Sequence, residues 1–125
     1  MNFDESLHAA FKFFDKCFPD VRPLAVQCHS WIFNTQLETR LADSNLASFM
    51  RELYLFPVMS SGVDGLLFIF CRDYDDWMQA PRETPLQCAL LDLYCDGTPL
   101  RCGGMVFLRE DLARFGEQVY RCRLL

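Results

Sequence analysis

Two short β-type runs joined by a glycine-containing loop are the feature that most limits the fold of this chain. Residues 54–59 and 66–71 are rich in apolar and aromatic side chains, and the loop between them contains Gly62 and Gly65. This pattern predicts a β-hairpin. Pro57 has no N–H to donate to a neighbouring strand, which predicts a position on a free sheet edge or at a bulge.

Helical patterns surround the predicted hairpin. Residues 4–18 repeat apolar side chains at spacings of three and four, which predicts an amphipathic helix capped by Asp4. Thr84 followed by Pro85 predicts the start of a helix over residues 84–95. Further short helices are predicted over residues 34–41, 44–52 and 110–115, and further strands over residues 24–31, 105–108 and 118–124. The mixture predicts an α+β fold, with helices packed on an antiparallel or mixed sheet.

Size and composition favour one domain over residues 1–125. A chain of 125 residues with 51% hydrophobic residues and 12 Phe can bury an aromatic-rich core and lacks the composition of a disordered protein. No apolar run approaches the ~20 residues needed to cross a bilayer, so we expect no membrane span. The net charge of −5, with scattered arginines, is unlike the clustered basic surface of a nucleic-acid-binding protein.

The cysteines indicate a reducing compartment. There are seven, an odd number, and they lie mostly in apolar segments without any C-x-x-C spacing. The first residues do not form a signal-peptide pattern. The sequence therefore predicts free thiols, a cytoplasmic location and no metal site.

His29 and Ser30 are the candidate catalytic residues. His29 is the candidate general base, because histidine exchanges protons near neutral pH. Ser30 is a candidate hydrogen-bond donor in the same site. Side chains alternate along a strand, so His29 points away from Cys28 and Ser30, and these residues do not form a nucleophile–base pair. The alternative reading is structural: a hydrogen-bonded histidine at a strand end, followed by a capping serine.

Arg82, Thr84 and Gln87 form the first candidate anion site. They lie at the start of the helix predicted over residues 84–95, where free N–H groups and a partial positive charge favour an anion. Arg82 would then clamp a phosphate or carboxylate. In the structural alternative, Thr84 is simply the helix cap and Arg82 pairs with an acidic neighbour such as Asp75 or Asp76.

Arg101, Gly103 and Gly104 form the second candidate anion site. An arginine close to two glycines can hold an anion against the backbone. The alternative is a tight turn that uses the conformational freedom of glycine.

Five blocks in a fixed order carry a family resemblance: CHSW at 28–31, DSN at 43–45, FMRELYLFP at 49–57, PRETPLQ at 81–87 and LRCGGM at 100–105. Together they resemble the C-terminal domain of a bacterial family of GNAT-like acyltransferases. The resemblance implies a GNAT-like sheet of about four to five strands that opens into a cleft for acyl-CoA. It also implies a mostly helical N-terminal domain ahead of this one, or a partner chain in its place.

The resemblance implies an acyl-CoA-dependent N-acyltransferase that uses acyl-CoA as substrate and no metal. The family's phosphate loop, [Q/R]-x-x-G-x-[G/A], has its nearest match at residues 101–106, where Val106 replaces the final small residue. One alternative is a non-catalytic GNAT-like module that binds a small ligand or a partner. Another is a structural or dimerising domain, suggested by the many Phe residues and by unpaired strand edges.

Overall fold

The computed structural model describes residues 2–122. Its helices and strands alternate along the chain as an α+β fold, which confirms the predicted fold class. The α-helices are α1 (Phe3–Cys17), α2 (Thr35–Arg40), α3 (Asn45–Arg51), α4 (Asp64–Phe70), α5 (Pro85–Cys95) and α6 (Val119–Cys122). The strands are β1 (Ala25–Ser30), β2 (Tyr54–Ser61) and β3 (Arg101–Leu108). Short 3₁₀ helices span Trp31–Phe33, Trp77–Gln79 and Arg109–Arg114.

The sheet is antiparallel, in the order β1-β3-β2. β3 is therefore the central strand, although it is the last of the three in the chain. Within residues 2–122 the sheet has three strands, fewer than the four to five expected. Pro57 lies in the edge strand β2, which confirms the first of its two predicted positions, and the pairing of β2 with β3 is irregular further along, between Val58 and Ser61.

The predicted second hairpin strand, residues 66–71, is wrong: this segment is the helix α4. Leu66 and Phe70 are buried while Phe68 is 73% exposed, a spacing that fits one face of a helix and not the alternation of a strand. Gly65 allows the first turn of α4 to lie against the indole of Trp31, because a Cβ there would come within 2.7 Å of the ring. A short apolar run is ambiguous in isolation, and here tertiary packing selects the helix.

The predicted last strand, residues 118–124, is also wrong as far as the structure describes it. Residues 119–122 form α6, while residues 123–124 lie outside the described part. Val119 and Tyr120 are consecutive and both buried, and the Tyr120 hydroxyl accepts a hydrogen bond from the Leu108 N–H at 2.7 Å. Two adjacent buried side chains are incompatible with a strand that has one covered face.

Local capping residues determine where the long helices begin. Asn2, and not Asp4, caps α1, and Glu5 completes a capping box with it. Thr84 caps α5, Pro85 occupies its first turn, and Gln87 completes a second capping box, as the Thr-Pro pair predicts.

The buried side chains form two clusters. The helical core lies among α2, α4 and α5 and contains Leu37, Leu66, Phe70, Ala80, Ala89, Leu90, Leu91, Leu93 and Leu100. The sheet core lies between one face of the sheet and the segments that cover it, and contains Phe33, Met50, Leu53, Met105, Phe107, Val119 and Tyr120. The sheet core covers one side of the sheet and leaves the other side more exposed.

Candidate functional site

His29 and Gly104 are direct neighbours in the middle of the sheet. In the ladder, Gly104 of the central strand pairs with His29 of β1 on one side and with Phe56 of β2 on the other. Paired residues of an antiparallel ladder share a face. His29, Phe56 and Gly104 therefore form one row across the side of the sheet that lies opposite the sheet core, which we call the open face.

The Phe56 ring fills the place of the missing Gly104 side chain. A Cβ at Gly104 would lie 2.3 Å from the Cε2 and Cζ atoms of Phe56. The ring reaches across the central strand and meets the imidazole of His29, with ring centroids 5.6 Å apart and planes at 85°. Tyr54 extends the row of rings at 6.4 Å from Phe56. The imidazole thus lies on an exposed, partly apolar surface.

Ser30 and Gly103 lie on the opposite face of the sheet. They pair with each other, and Pro57 is the third residue of their row. A Cβ at Gly103 would come within 1.9 Å of the Phe33 carbonyl oxygen, so the glycine allows the Trp31–Phe33 turn to cross the strand. The Ser30 hydroxyl caps this turn by accepting a hydrogen bond from the Ile32 N–H at 3.4 Å. His29 and Ser30 therefore face different surroundings.

The residues at the start of α5 bond mainly to one another. The Gln87 side-chain oxygen accepts hydrogen bonds from the N–H groups of Glu83 at 2.8 Å and Thr84 at 3.0 Å. The Thr84 hydroxyl accepts one from the Gln87 N–H at 3.2 Å. Arg82 donates to Asp92 at 2.6 Å, and this hydrogen bond raises the pKa of the guanidinium. An anion at this site would have to displace the cap or the ion pair.

Arg101 lies apart from that group, at the other end of α5. Thr84 caps the start of the 11-residue helix, whereas Arg101 follows the end of the helix and begins β3, where it pairs with Ser61. Arg101 is exposed, and no carboxylate in residues 2–122 forms an ion pair with it. Along β3 it is followed closely by Gly103 and Gly104. The structure thus places His29 and Ser30 in adjacent rows of the sheet with Gly104 and Gly103, but on opposite faces, and alternation along β3 puts Arg101 on the Gly103 side. Arg82, Thr84 and Gln87 are not part of these rows.

Sequence reasoning missed the contribution of Phe56 and Tyr54 to the site. Both belong to a correctly predicted strand, and their alternation already places them on one face. The missing information is the pairing partner, because the sequence predicts a strand only over residues 105–108, whereas β3 begins at Arg101. With Gly104 assigned to a central strand, an aromatic residue lying across it would be expected.

Two further findings concern metals and membranes. Among the described residues, no group of three or more His, Cys, Asp or Glu side chains is arranged to hold a metal ion. None of the helices described here combines the length and the apolar character required to cross a bilayer.

The sequence matches the GNAT-like C-terminal domain family over residues 1–106, which is most of the chain. The chain belongs to this family. No curated protein matches it in sequence. The matched region contains the open face, the start of α5, and Arg101 with Gly103 and Gly104.

Solved acyltransferase structures share the fold of this GNAT-like C-terminal domain. One, an acyltransferase with decanoyl-CoA and teicoplanin, is 27% identical with a TM-score of 0.75. Others, an acyltransferase mutant with octanoyl-CoA and an acyltransferase with CoA and 10C-teicoplanin, are each 26% identical with the same TM-score. In all three, the match covers 85% of this chain and 35% of the other chain. The domain thus spans about a third of the length of these acyltransferases.

Proposed function

We propose that this domain binds acyl-CoA and forms the catalytic part of an N-acyltransferase. The observation that carries the proposal is its likeness, over 85% of the chain, to acyltransferases solved with octanoyl-CoA and decanoyl-CoA. The open face adds an exposed imidazole next to the apolar rings of Phe56 and Tyr54. Such a surface suits an apolar acyl chain, with a proton-accepting group beside it.

In the proposed reaction, His29 is the general base. An acceptor amine attacks the carbonyl carbon of the thioester, so that a C–N bond forms and the C–S bond breaks. His29 takes the proton from the nitrogen, and the leaving CoA thiolate is protonated to the thiol. Ser30 faces the other side of the sheet and caps a turn, so we assign it a positioning role for the end of β1.

For the phosphates of CoA, we propose Arg101 as the first contact, with Gly103 and Gly104 as the strand segment beside it. Arg101 is exposed and forms no ion pair with the described residues, so binding an anion costs no existing ion pair. Arg82, with Thr84 and Gln87, is the second candidate, because its bond to Asp92 would have to be exchanged.

Thermal melting with CoA, acetyl-CoA and octanoyl-CoA tests this proposal. A ligand present at ~100 times its Kd stabilises the folded state by roughly 2.7 kcal/mol, which shifts Tm by several degrees. Arg101→Ala should remove most of the shift. Arg114→Ala is the matched control, since Arg114 is an exposed arginine with its own partner, Glu117. The absence of any shift at millimolar CoA, or an equal loss in both variants, would contradict the proposal.

The second candidate function is a GNAT-like module that binds without catalysis. It is favoured by the surroundings of Gly103 and Gly104, because the Phe33 carbonyl and the Phe56 ring fill the space beside the two α-carbons. Both glycines are also paired within the sheet and do not form an open loop. His29→Ala separates the two functions. It should preserve CoA binding and slow transfer at least tenfold if His29 is the base, as measured by mass spectrometry of an acylated amine.

We further propose that the domain acts together with a helical N-terminal domain or a partner chain, in the cytoplasm. The solved acyltransferases are about three times as long as the region they share with this chain, which leaves room for such a domain. All six cysteines whose side chains are described are free thiols, which supports a reducing compartment.

A further inference from the structure

The two edges of the sheet differ in how well they are protected from pairing with another strand. β2 contains Pro57 and a pairing irregularity between Val58 and Ser61, both of which discourage an added strand. β1 contains neither Pro nor Lys and pairs with β3 without interruption. No strand within residues 2–122 pairs with the outer side of β1. Within the part of the chain that the structure describes, β1 is therefore an unprotected edge.

The hydrogen-bond pattern shows which backbone groups of β1 point outward. The Arg109 N–H donates to the Leu24 carbonyl at 2.8 Å, which continues the register that pairs Ala25 with Leu108. Along an antiparallel strand, successive residues direct their backbone N–H and C=O groups alternately toward the strand on one side and toward the other side. Since Leu24 bonds toward β3, the N–H and C=O groups of Ala25, Gln27 and His29 point away from it.

We propose that β1 is the interface of a symmetric dimer, in which the β1 strands of two copies pair antiparallel about a two-fold axis at Gln27. In this register Gln27 lies opposite itself, and Ala25 lies opposite the second copy's His29. Each of these pairs satisfies its outward N–H and C=O groups by exchanging two hydrogen bonds. An antiparallel pair of identical strands obeys two-fold symmetry, the most common symmetry of homo-oligomers.

The side chains around β1 agree with a second copy as the occupant. Leu24, directly before the strand, is 73% exposed and lies opposite Ser30 of the other copy in the proposed register. Gln27 is uncharged and exposed, so its side chain can lie beside its own copy without repulsion. The dimer would place both His29 rings on one continuous open face, with the second copy's Ala25 beside each.

Sedimentation equilibrium at protein concentrations from about 1 µM to about 1 mM tests the dimer. A strand-edge interface of small area is expected to have a Kd within this range. Gln27→Lys and Gln27→Glu each place like charges directly opposite across the axis, so each should raise the dimer Kd at least tenfold. An equimolar mixture of the two variants should recover the wild-type Kd or a lower one. Gln27→Pro should also give a monomer, because it removes an N–H that points outward.

Met59→Lys and Met59→Glu are the matched controls, because Met59 is fully exposed on the other edge strand, β2. They should leave the Kd unchanged, and far-ultraviolet circular dichroism should show every variant folded. A protein that is monomeric throughout the concentration range overturns the proposal. So does a dimer that the Gln27 variants leave intact and Phe14→Ser dissolves, since the interface would then be the exposed aromatic side of α1.

Discussion

At Gly103 and Gly104, other parts of the chain occupy the space that side chains would need, but the two positions differ in what can move. Gly103 lies against the Phe33 carbonyl oxygen, which belongs to the backbone. Gly104 lies against the outer edge of the Phe56 ring, which can rotate away. The two adjacent glycines therefore make a matched pair for measuring how the sheet tolerates a methyl group.

We expect Gly103→Ala to destabilise the protein by about 3 kcal/mol or more and Gly104→Ala by about 1 kcal/mol, because only the second clash is relieved by a side-chain rotation. Urea unfolding followed by circular dichroism measures both free energies. Phe56→Leu should reduce the cost of Gly104→Ala and leave the cost of Gly103→Ala unchanged. Equal costs at the two glycines would contradict the contacts described here.

His29 shows which features of a single residue can be predicted from the sequence and which cannot. Strand alternation correctly separates His29 from Ser30, because this depends only on neighbours in the chain. The contact between His29 and Phe56 depends on β3 passing between them, and no local pattern encodes that pairing.

Among the elements, α1 is tied to the rest of the domain near its C-terminal end by an ion pair. Arg109 donates from Nη1 to the Asp15 carboxylate at 2.7 Å, and its Nη2 bonds the other oxygen. The same guanidinium lies 5.1 Å from the centroid of the Phe11 ring. Beyond this point the apolar side of the helix continues through Phe14 and Phe18, which are 42% and 50% exposed.

The hydrogen bond from Arg109, opposed by desolvation and aided by the charges of Arg109 and Arg22, lowers the pKa of Asp15. Because the pKa is lower in the folded state, the ion pair stabilises α1 above about pH 4, the pKa of an unfolded aspartate. The contribution disappears as the pH falls through the lower, folded value. Asp15→Asn should therefore increase hydrogen exchange of the amides of residues 14–18 at pH 7, and by a smaller factor at pH 2.5.

Asp20→Asn is the control for that experiment, because Asp20 is an exposed aspartate just beyond the same helix. It should leave exchange of residues 14–18 unchanged at both pH values. If Asp15→Asn has no effect at pH 7, the ion pair does not anchor the helix.

The sequence predicts best those elements whose ends carry a local signal, such as a capping residue or a proline in the first turn. α5 begins where Thr84 and Pro85 place it, because a cap and a first-turn proline act within a few residues. Residues 66–71 lack such signals, and the helix there depends on Gly65 lying against Trp31, 34 positions earlier in the chain. The sequence predicts β3 too short for a similar reason: Gly103 and Gly104 resemble a turn unless the segments that cover them are known.

At the scale of the whole molecule, the helical core and the sheet core are connected by the Trp31–Phe33 turn. Trp31 packs on the helical core, while Phe33 belongs to the sheet core. Both turn residues lie against glycines of other elements, Gly65 and Gly103. A rigid connection of this kind is expected to make the two cores unfold together.

Leu91→Ala tests this cooperation, since Leu91 is fully buried in the helical core. We expect a loss of about 2–5 kcal/mol. Both Trp residues, Trp31 and Trp77, pack on the helical core, and Trp77 lies away from the connecting turn, so tryptophan fluorescence reports on the helical core. Amide exchange of β3 reports on the sheet core. The variant should shift both signals equally, and a shift of fluorescence without faster exchange in β3 would show two independent units.

The central position of β3 also has a consequence for synthesis on the ribosome. β1 and β2 are not paired with each other, and both must wait for residues 101–108, the last strand to be made. Until then the nascent chain displays two unpartnered strands, a state that favours aggregation. The hydrogen bonds within each helix are local, so the helices can form earlier, whereas sheet closure needs contacts distant in sequence and is slow. Production of the folded domain should therefore depend on chaperones that hold nascent chains until the third strand emerges.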